Sequence, residues 1–459
     1  MKSSTRLFIA ATALVCVFVL LMGCNNGGSG TPIDPIENNA GNTVASAGDT
    51  VDSTASSDSK NNTALPSVEV TENTTTRFET LFRYGLIPAR QSEENGSWGF
   101  IDINGNFVVS PNFANTYAFD SEGLAVVREF DSGLWGYIDP SGNMAIEAIY
   151  TDASSFYYGL AAVQIGDQYG YIDAKGNYII PLQSIFTDTR SFRSNGLAVA
   201  RDGNRFYGFI DKTGQWVVPP LFSNVGYFYE GLMKVQDSRS SLWGYVDESG
   251  DYVIEAQFGG AEDFSDGLAR VQDPNTYLYG YIDKSGKYVI EPKYDAFSYN
   301  FSEGIALVSY NGSSELINKD GLPPFDYSQM IMGSLVSGYN DGLAGMIGKD
   351  GRQGYIDNTG NYVIEIPSSI IHFFPFSGGY ARINDGDLDW SVVGFATGKY
   401  GFINKSGEIV IEPQFDDAKD FASDGSYAIV KSGELWGIID GNGNYLVPPS
   451  AAEIKIGAR

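Results

Sequence analysis

Acidic residues that recur at regular intervals are the first candidates for chemistry in this chain. A row of carboxylates could bind calcium, or each could cap a tight turn by accepting backbone N–H bonds. Asn stands in for Asp twice and caps a turn equally well, so the pattern favours the cap. The aspartates are Asp102, Asp139, Asp173, Asp211, Asp247, Asp283, Asp357 and Asp440, and the two asparagines are Asn318 and Asn404.

Tryptophans recur with the same period, four residues before the acid. Trp98, Trp135, Trp243 and Trp436 could form a stripe on which sugar rings stack. Regularly spaced large aromatics more often form the packed core of a repeat, because they supply much of its buried apolar area. We expect the core role and keep the stripe as a weaker candidate for a ligand or partner face.

A third candidate is an acidic insertion with Asp385, Asp387 and Asp389 at alternate positions. A calcium loop of this type needs a central Gly and a later Glu, but Trp390 and Ala396 occupy those places. We interpret the insertion as a solvated acidic loop. It remains a candidate partner site, since function is often added to a regular scaffold at such departures.

Several classes of chemistry are excluded by composition. His372 is the only histidine, and the two cysteines, Cys16 and Cys24, lie near the start of the chain. A histidine-based triad, a Cys-based zinc site and disulfides in the rest of the chain are therefore not expected. We predict no enzyme and no cofactor, with calcium the one metal considered. The formal charge of -27 disfavours nucleic acid as a partner.

The first 23 residues have the pattern of a secretory signal peptide. Lys2 and Arg6 precede an apolar run from Leu7 to Leu20. Leu21-Met22-Gly23-Cys24 resembles a bacterial lipobox, and the resemblance implies that Cys24 is lipidated and becomes the mature N-terminus. Residues 24–77, rich in Ser, Asn, Thr and Gly, predict a disordered tether. We therefore expect a secreted protein facing outward from the cell envelope, held to the membrane only by its N-terminal lipid.

A repeat built on aromatic-Gly-aromatic-Ile-Asp positions these candidates. Ten copies follow one another at intervals of 34 to 47 residues, and the copy at Ser314–Asn318 is the most eroded. The others are Trp98–Asp102, Trp135–Asp139, Tyr169–Asp173, Tyr207–Asp211, Trp243–Asp247, Tyr279–Asp283, Gln353–Asp357, Tyr400–Asn404 and Trp436–Asp440. A period of this length is typical of solenoids and propellers.

Each copy predicts three short strands. The first is Leu-Ala-x-Val, the second contains the aromatic-Gly motif, and the third is Tyr-Val-Ile-Glu-Pro. An Asp-x-x-Gly turn joins the second strand to the third, with Gly at the position that needs a positive φ. The Gly within the second strand leaves room for a neighbouring aromatic to lie over its backbone.

This pattern resembles the WG-repeat family of bacterial proteins over residues 78–449, which leaves 450–459 as a C-terminal tail. We predict an all-β tandem array of about ten three-stranded antiparallel units, open and solenoid-like, with a closed propeller-like toroid as the alternative. The resemblance implies a binding or scaffolding protein. We expect a non-catalytic scaffold for protein–protein interaction at the cell surface; the alternative is polysaccharide or cell-wall binding through the aromatic stripe. Its partner is expected to be an unidentified protein or glycan of the envelope.

Overall fold

The computed structural model describes residues 82–92, 96–296, 298–326, 339–386, 388–389, 395–396 and 398–456. These residues form short β-strands and one 3-10 helix, Arg83–Gly85. Within them, no helix is long and apolar enough to span a membrane. The strands are β1 (Ile87–Arg90), β2 (Trp98–Ile101), β3 (Phe107–Thr116), β4 (Ala125–Glu129), β5 (Trp135–Ile138), β6 (Met144–Tyr150), β7 (Asp152–Ala153), β8 (Ala161–Ile165), β9 (Gln168–Ile172), β10 (Tyr178–Gln183), β11 (Phe186–Thr189), β12 (Leu197–Asp202), β13 (Tyr207–Asp211), β14 (Trp216–Tyr229), β15 (Leu232–Asp237), β16 (Trp243–Val246), β17 (Tyr252–Phe258), β18 (Gly260–Ala261), β19 (Ala269–Gln272), β20 (Tyr279–Ile282), β21 (Tyr288–Tyr294), β22 (Ile305–Tyr310), β23 (Ser313–Asn318), β24 (Ala344–Ile347), β25 (Gln353–Ile356), β26 (Tyr362–Glu365), β27 (His372–Ser377), β28 (Tyr380–Asn384), β29 (Leu388–Asp389), β30 (Phe395–Ala396), β31 (Tyr400–Asn404), β32 (Ile409–Phe415), β33 (Asp417–Ala418), β34 (Ala428–Ser432), β35 (Leu435–Ile439), β36 (Tyr445–Ala451) and β37 (Glu453–Ile454).

The strands group into ten units, which we number from the motif copy at Trp98 onward. Unit 6 shows the plan: its first, second and third strands are β19, β20 and β21, paired antiparallel. A two-residue strand, β18, pairs with the outer edge of β19. We call β18 and its equivalents bridging strands. The all-β tandem array predicted from the sequence is confirmed, and the structure adds this fourth strand to the three predicted.

Bridging strands come from the chain that links one unit to the next. In units 2 and 5 they are not separate strands but the ends of β3 and β14. Phe222 of β14 shows the double use, because it is opposite Tyr207 of unit 4 and opposite Asp237 of unit 5. The link is too short and too variable in sequence to show strand alternation, which explains why the sequence predicted only three strands.

In nine of the ten units the second strand carries a Gly that lies under the backbone of the third strand. A Cβ placed on Gly280 would lie 2.5 Å from the carbonyl oxygen of Ile290 and 2.8 Å from the nitrogen of Pro292. The third strand bulges at this point, since the pairing shifts between Tyr279–Tyr294 and Tyr281–Ile290. The sequence analysis expected an aromatic over this glycine; a main-chain bulge lies there instead, and it explains why Gly is required.

Buried side chains hold each unit to the next. The ring of Tyr281 in unit 6 packs edge-on against Phe301 of unit 7, with centroids 4.8 Å apart. The same pairing joins Tyr245 to Phe264 in the preceding unit. Such aromatic pairs stabilise a fold by about 0.5–1.5 kcal/mol beyond the area they bury. The hydrophobic core is therefore a series of separate clusters between neighbouring units.

The last unit contacts the first. β37 pairs with β1, with Ala89 opposite Ile454, so it serves as the bridging strand of unit 1. Ile454 and Val447 share one cluster with Ile87. Ten such clusters follow one another, one more than an open array of ten units can have. The ends of the array meet, which is the closed arrangement that the sequence analysis held as its alternative to an open one.

Closure also changes the description of the C-terminus. The sequence analysis separated residues 450–459 from the array as a tail. Residues 450–456 instead contain the end of β36 and the whole of β37. The reason is that Ile454 is buried against unit 1, a contact with residues more than three hundred positions earlier that no local pattern shows.

Candidate functional site

The recurring acids cap the turns between second and third strands. In unit 6, Oδ1 of Asp283 accepts the backbone N–H groups of Ser285 at 2.9 Å and Lys287 at 3.2 Å. The hydroxyl of Ser285 also donates to that oxygen and, with these backbone bonds, lowers the pKa of Asp283. Asn404 accepts the equivalent two bonds in unit 9. One oxygen of each side chain is thus occupied by its own turn.

The same two bonds are made by every recurring acid or amide of the motif. Within the described part of the chain, no group of three or more His, Cys, Asp or Glu side chains could hold a metal ion. The capping residues are Asp102, Asp139, Asp173, Asp211, Asp247, Asp283, Asn318, Asp357, Asn404 and Asp440.

The four motif tryptophans lie at or next to the start of second strands in different units, so they are not gathered at one place. Trp98 and Trp135 are buried, whereas Trp243 and Trp436 are half-buried. Trp436 lies between Lys419 and Lys431, whose amines are 5.4 Å and 5.8 Å from its ring centroid. Cations over an aromatic ring occupy the face on which a sugar would stack.

Trp98 also has two cations over its ring, one of them from the residue that follows β37. The amine of Lys455 is 3.9 Å from the Trp98 ring centroid and also donates to Oδ1 of Asn115. Burial lowers the pKa of Lys455. Arg90 lies 5.8 Å from the same ring and pairs with Glu453 at 2.8 Å. These contacts stabilise the junction between the first and last units.

The acidic insertion of unit 9 connects β28 to β31. Asp385 is exposed, and its carboxylate accepts the backbone N–H of Lys399 at 2.7 Å across the base of the insertion. Asp389 belongs to β29, which pairs with β30 to form a small hairpin. Asp387 lies outside the described residues, as does Cys24. The insertion therefore extends unit 9, and the motif tryptophans belong to other units.

A ladder of acid–Gly turns links neighbouring units, and the sequence analysis missed it. Glu230, Asp266, Glu303 and Asp341 have positive φ values of 51–57°. Each carboxylate accepts the backbone N–H of the turn glycine in the next unit; Gly304, for example, donates to Asp266 at 2.6 Å. The recurring Asp-Gly and Glu-Gly pairs, which are typical of type I′ hairpin turns, were the available signal. The donors are Gly267, Gly304, Gly342 and Gly379.

One face of most third strands is open to solvent, and this is the feature that repeats on the surface. In β17, Ile254 and Phe258 are buried, while Val253 and Glu255 alternate with them and are exposed. The exposed Val or Ile recurs at the same position in six units, with 43–52% of each residue exposed. They are Val108, Ile179, Val217, Val253, Val289 and Val363. The exposed branched side chain thus occupies the same position of the third strand in six units.

Glutamates occupy the position two residues further along in five third strands, and in three of these, β17, β21 and β26, they follow one of the exposed valines. Glu147, Glu255, Glu291, Glu365 and Glu412 are exposed. We call the exposed Val, Ile and Glu side chains of the third strands the third-strand stripe. In most units the turn glycine lies over the buried face of the third strand of the unit before, so the turn of one unit contacts the third strand of its neighbour. A Cβ on Gly286 would be 2.9 Å from Cγ2 of Ile254.

Together these features define an all-β protein of tandem units whose ends meet, with turn-capping acids and one solvent-facing strand per unit. The chain belongs to the family of proteins with the WG containing repeat. Its family model matches residues 98–129, 135–169, 169–206, 207–237, 243–277, 279–313 and 400–436, which is just over half of the chain. Comparison with curated proteins gives no match.

Solved structures give only distant matches. Hsv2 of Kluyveromyces lactis is 10% identical, with a TM-score of 0.24 over 62% of this chain and 92% of that one. Hsv2 of Kluyveromyces marxianus is also 10% identical, with a TM-score of 0.25 over 65% of this chain and 95% of that one. Scores of this size support no conclusion about shared architecture or function.

Proposed function

We propose that this protein is a non-catalytic repeat scaffold for protein–protein interaction, lipid-anchored at the bacterial cell surface. The observation that carries the proposal is the repetition of one exposed surface, the third-strand stripe, from unit to unit. Repeat proteins commonly bind partners through such extended, repeated surfaces. The acids that could have served catalysis or metal binding are instead bonded to the backbone of their own turns.

Polysaccharide binding through the motif tryptophans is less well supported. Trp98 and Trp135 are buried, and Arg128 lies 5.9 Å from the centroid of the Trp135 ring. Sugar binding normally uses an aromatic face open to solvent. No observation in the described residues favours the glycan alternative over the protein one, so the scaffold is the single function proposed.

Affinity capture tests the scaffold. The full chain is immobilised through its N-terminal region and exposed to solubilised cell-envelope material, and the retained fraction is analysed for protein and for sugar. A matched column carries a chain lacking residues 453–459, in which the first and last units are no longer joined by β37. Specific proteins retained by the full chain support the proposal. Polysaccharide retained without protein contradicts it.

The anchor rests on the lipobox-like residues 21–24 and is tested separately. We expect the full chain to incorporate a labelled fatty acid and to fractionate with membranes. Replacing Cys24 by Ala is expected to abolish both, because the thiol is the proposed attachment point. A Cys16→Ala variant is the matched control and is expected to keep both properties. Unchanged labelling of the Cys24→Ala variant would contradict the anchor.

A further inference from the structure

The third strands β17 and β21 end their sheets. β17 is the last of seven strands and β21 the last of four, and each pairs only with the second strand of its own unit. Their other edges pair with no strand within the described part of the chain. An edge strand of this kind offers unpaired backbone N–H and C=O groups to another extended segment.

Pro and the bulge limit how much of this edge is open. The pairing of β21 with β20 shifts register twice, between Tyr288 and Ile290 and between Ile290 and Tyr294, and Pro292 has no N–H to donate. The part before this proline, from Tyr288 to Glu291, is long enough for a short extended segment but not for indefinite sheet growth. An added strand would therefore be brief at each unit and could recur at the next.

The exposed face of these strands determines what an added strand should carry. Val253 and Glu255 alternate on one face of β17, and Val289 and Glu291 do so on β21. Neither glutamate has an ion-pair partner among the residues that the structure describes. In antiparallel pairs, side chains directly opposite one another interact, and opposite charges stabilise the pair. An apolar residue would fit opposite Val, and Lys or Arg opposite Glu.

We propose that an extended partner segment binds by adding a strand along β17 and β21, with apolar and basic residues two positions apart so that both lie on the face of the third-strand stripe. This inference deepens the proposed scaffold function and rests on it. The formal charge of -27 attracts a basic segment to the surface, and the alternation of the third-strand stripe sets its register. The units with Val and Glu together supply successive docking sites for one partner chain.

The test uses the full chain and synthetic peptides of about eight residues, the length of a short strand. The probe, called the Val-Lys peptide, repeats Val-Ser-Lys-Ser so that Val and Lys share one face, and it carries a fluorophore. In one comparison peptide Glu replaces Lys, and in another Ser replaces Val. Binding is measured by fluorescence anisotropy at low and at high salt. We expect the Val-Lys peptide to bind more tightly than both others, and its affinity to fall with salt.

Paired variants locate the binding. The stripe variant carries Val253→Thr, Glu255→Gln, Val289→Thr and Glu291→Gln, which preserve shape and branching. We expect it to bind the Val-Lys peptide about tenfold more weakly, since it loses two apolar contacts and two charge pairs. Equal binding by the stripe variant and the unmodified chain would overturn the proposal.

A charge-matched control separates the stripe from acidity in general. It neutralises two exposed acids outside the third strands, with Asp131→Asn and Asp167→Asn. Less than a twofold loss is expected from it. A loss as large as that of the stripe variant would show general attraction to an acidic surface and overturn the proposal.

The affinity-capture experiment distinguishes failure of the stripe from failure of the scaffold. A protein that binds the full chain and is lost from the stripe variant supports both proposals. A protein that binds both equally leaves the scaffold standing and overturns the stripe. Absence of any retained protein counts against the scaffold, and peptide binding then still decides whether β17 and β21 accept a basic strand.

Discussion

Gly280 allows a sharp test of why this repeat requires glycine in its second strand. Its backbone is not in the positive-φ region, so Ala is conformationally acceptable there. The obstacle is steric: an added Cβ would be 2.5 Å from the carbonyl oxygen of Ile290 and 2.8 Å from the nitrogen of Pro292. Carbon–carbon contacts are normally 3.5–4.0 Å, so β21 would have to move away by several tenths of an ångström or more.

Two opposing effects determine the expected change in the free energy of unfolding. Overpacking of a well-fitted site costs about 1–3 kcal/mol, and here the atoms in the way are backbone atoms that no side-chain rotation can remove. Replacing Gly by Ala also lowers the entropy of the unfolded chain, which stabilises the protein by about 0.4–1 kcal/mol. We therefore expect Gly280→Ala to lower the free energy of unfolding by about 1–2 kcal/mol.

Gly203 provides the matched control. It is outside the positive-φ region, and no atom lies within 4 Å of the position that its Cβ would take. Gly203→Ala should therefore be neutral or slightly stabilising. Both variants are unfolded in urea and followed by tryptophan fluorescence, with the midpoint and slope compared to the unmodified chain. Equal midpoints for the two variants would refute the steric explanation of the motif glycine.

Three further predictions concern a buried acid, a hydroxyl and the closing strand. Burial raises the pKa of Asp120 to about 6, so the folded protein favours the protonated carboxyl. Relative to the Asp120→Asn variant, the free energy of unfolding should therefore fall by up to about 3 kcal/mol as pH rises from 4 to 7. An NMR titration that gives Asp120 an ordinary pKa would contradict this. Tyr281→Phe removes the hydroxyl that donates to the carbonyl of Tyr299 at 2.5 Å, and should lower the free energy of unfolding by about 1–2 kcal/mol; an unchanged urea midpoint would contradict it. Deleting residues 453–459 removes β37 and the buried Ile454. The urea midpoint of unfolding should fall, and the radius of gyration from small-angle scattering should increase. A variant with both values unchanged would show that β37 does not hold the first and last units together.

Local chemistry explains how much of the fold was predictable. The Asp283 turn involves residues 283 to 287, and its cap and glycine are visible in any single copy. The alternation of buried Ile254 with exposed Val253 is likewise a property of one strand. Turns and strand faces are set within a few residues, so the three predicted strands correspond to observed ones in most units.

The candidate site was less predictable, because exposure and ion pairing depend on neighbours. The sequence directed attention to Trp98 and Trp436, but the structure places cations over both rings. The exposed Val289 and Glu291 belong to the same Tyr-Val-Ile-Glu motif that the sequence analysis treated only as a strand. Which face of a strand remains open is decided by how the units pack, and a motif alone does not show it.

By itself, the sequence determined the repeat, its all-β class, its turns and the family to which the chain belongs. Only the tertiary structure decided that most units receive a fourth strand from the linking chain and that β37 pairs with β1. It also decided that the bulge before Pro292 covers Gly280. The reason is the separation of the contacting residues along the sequence, because turns form between residues only a few positions apart. Closure joins Ala89 to Ile454 and depends on the sum of ten small rotations between units, which no single repeat encodes.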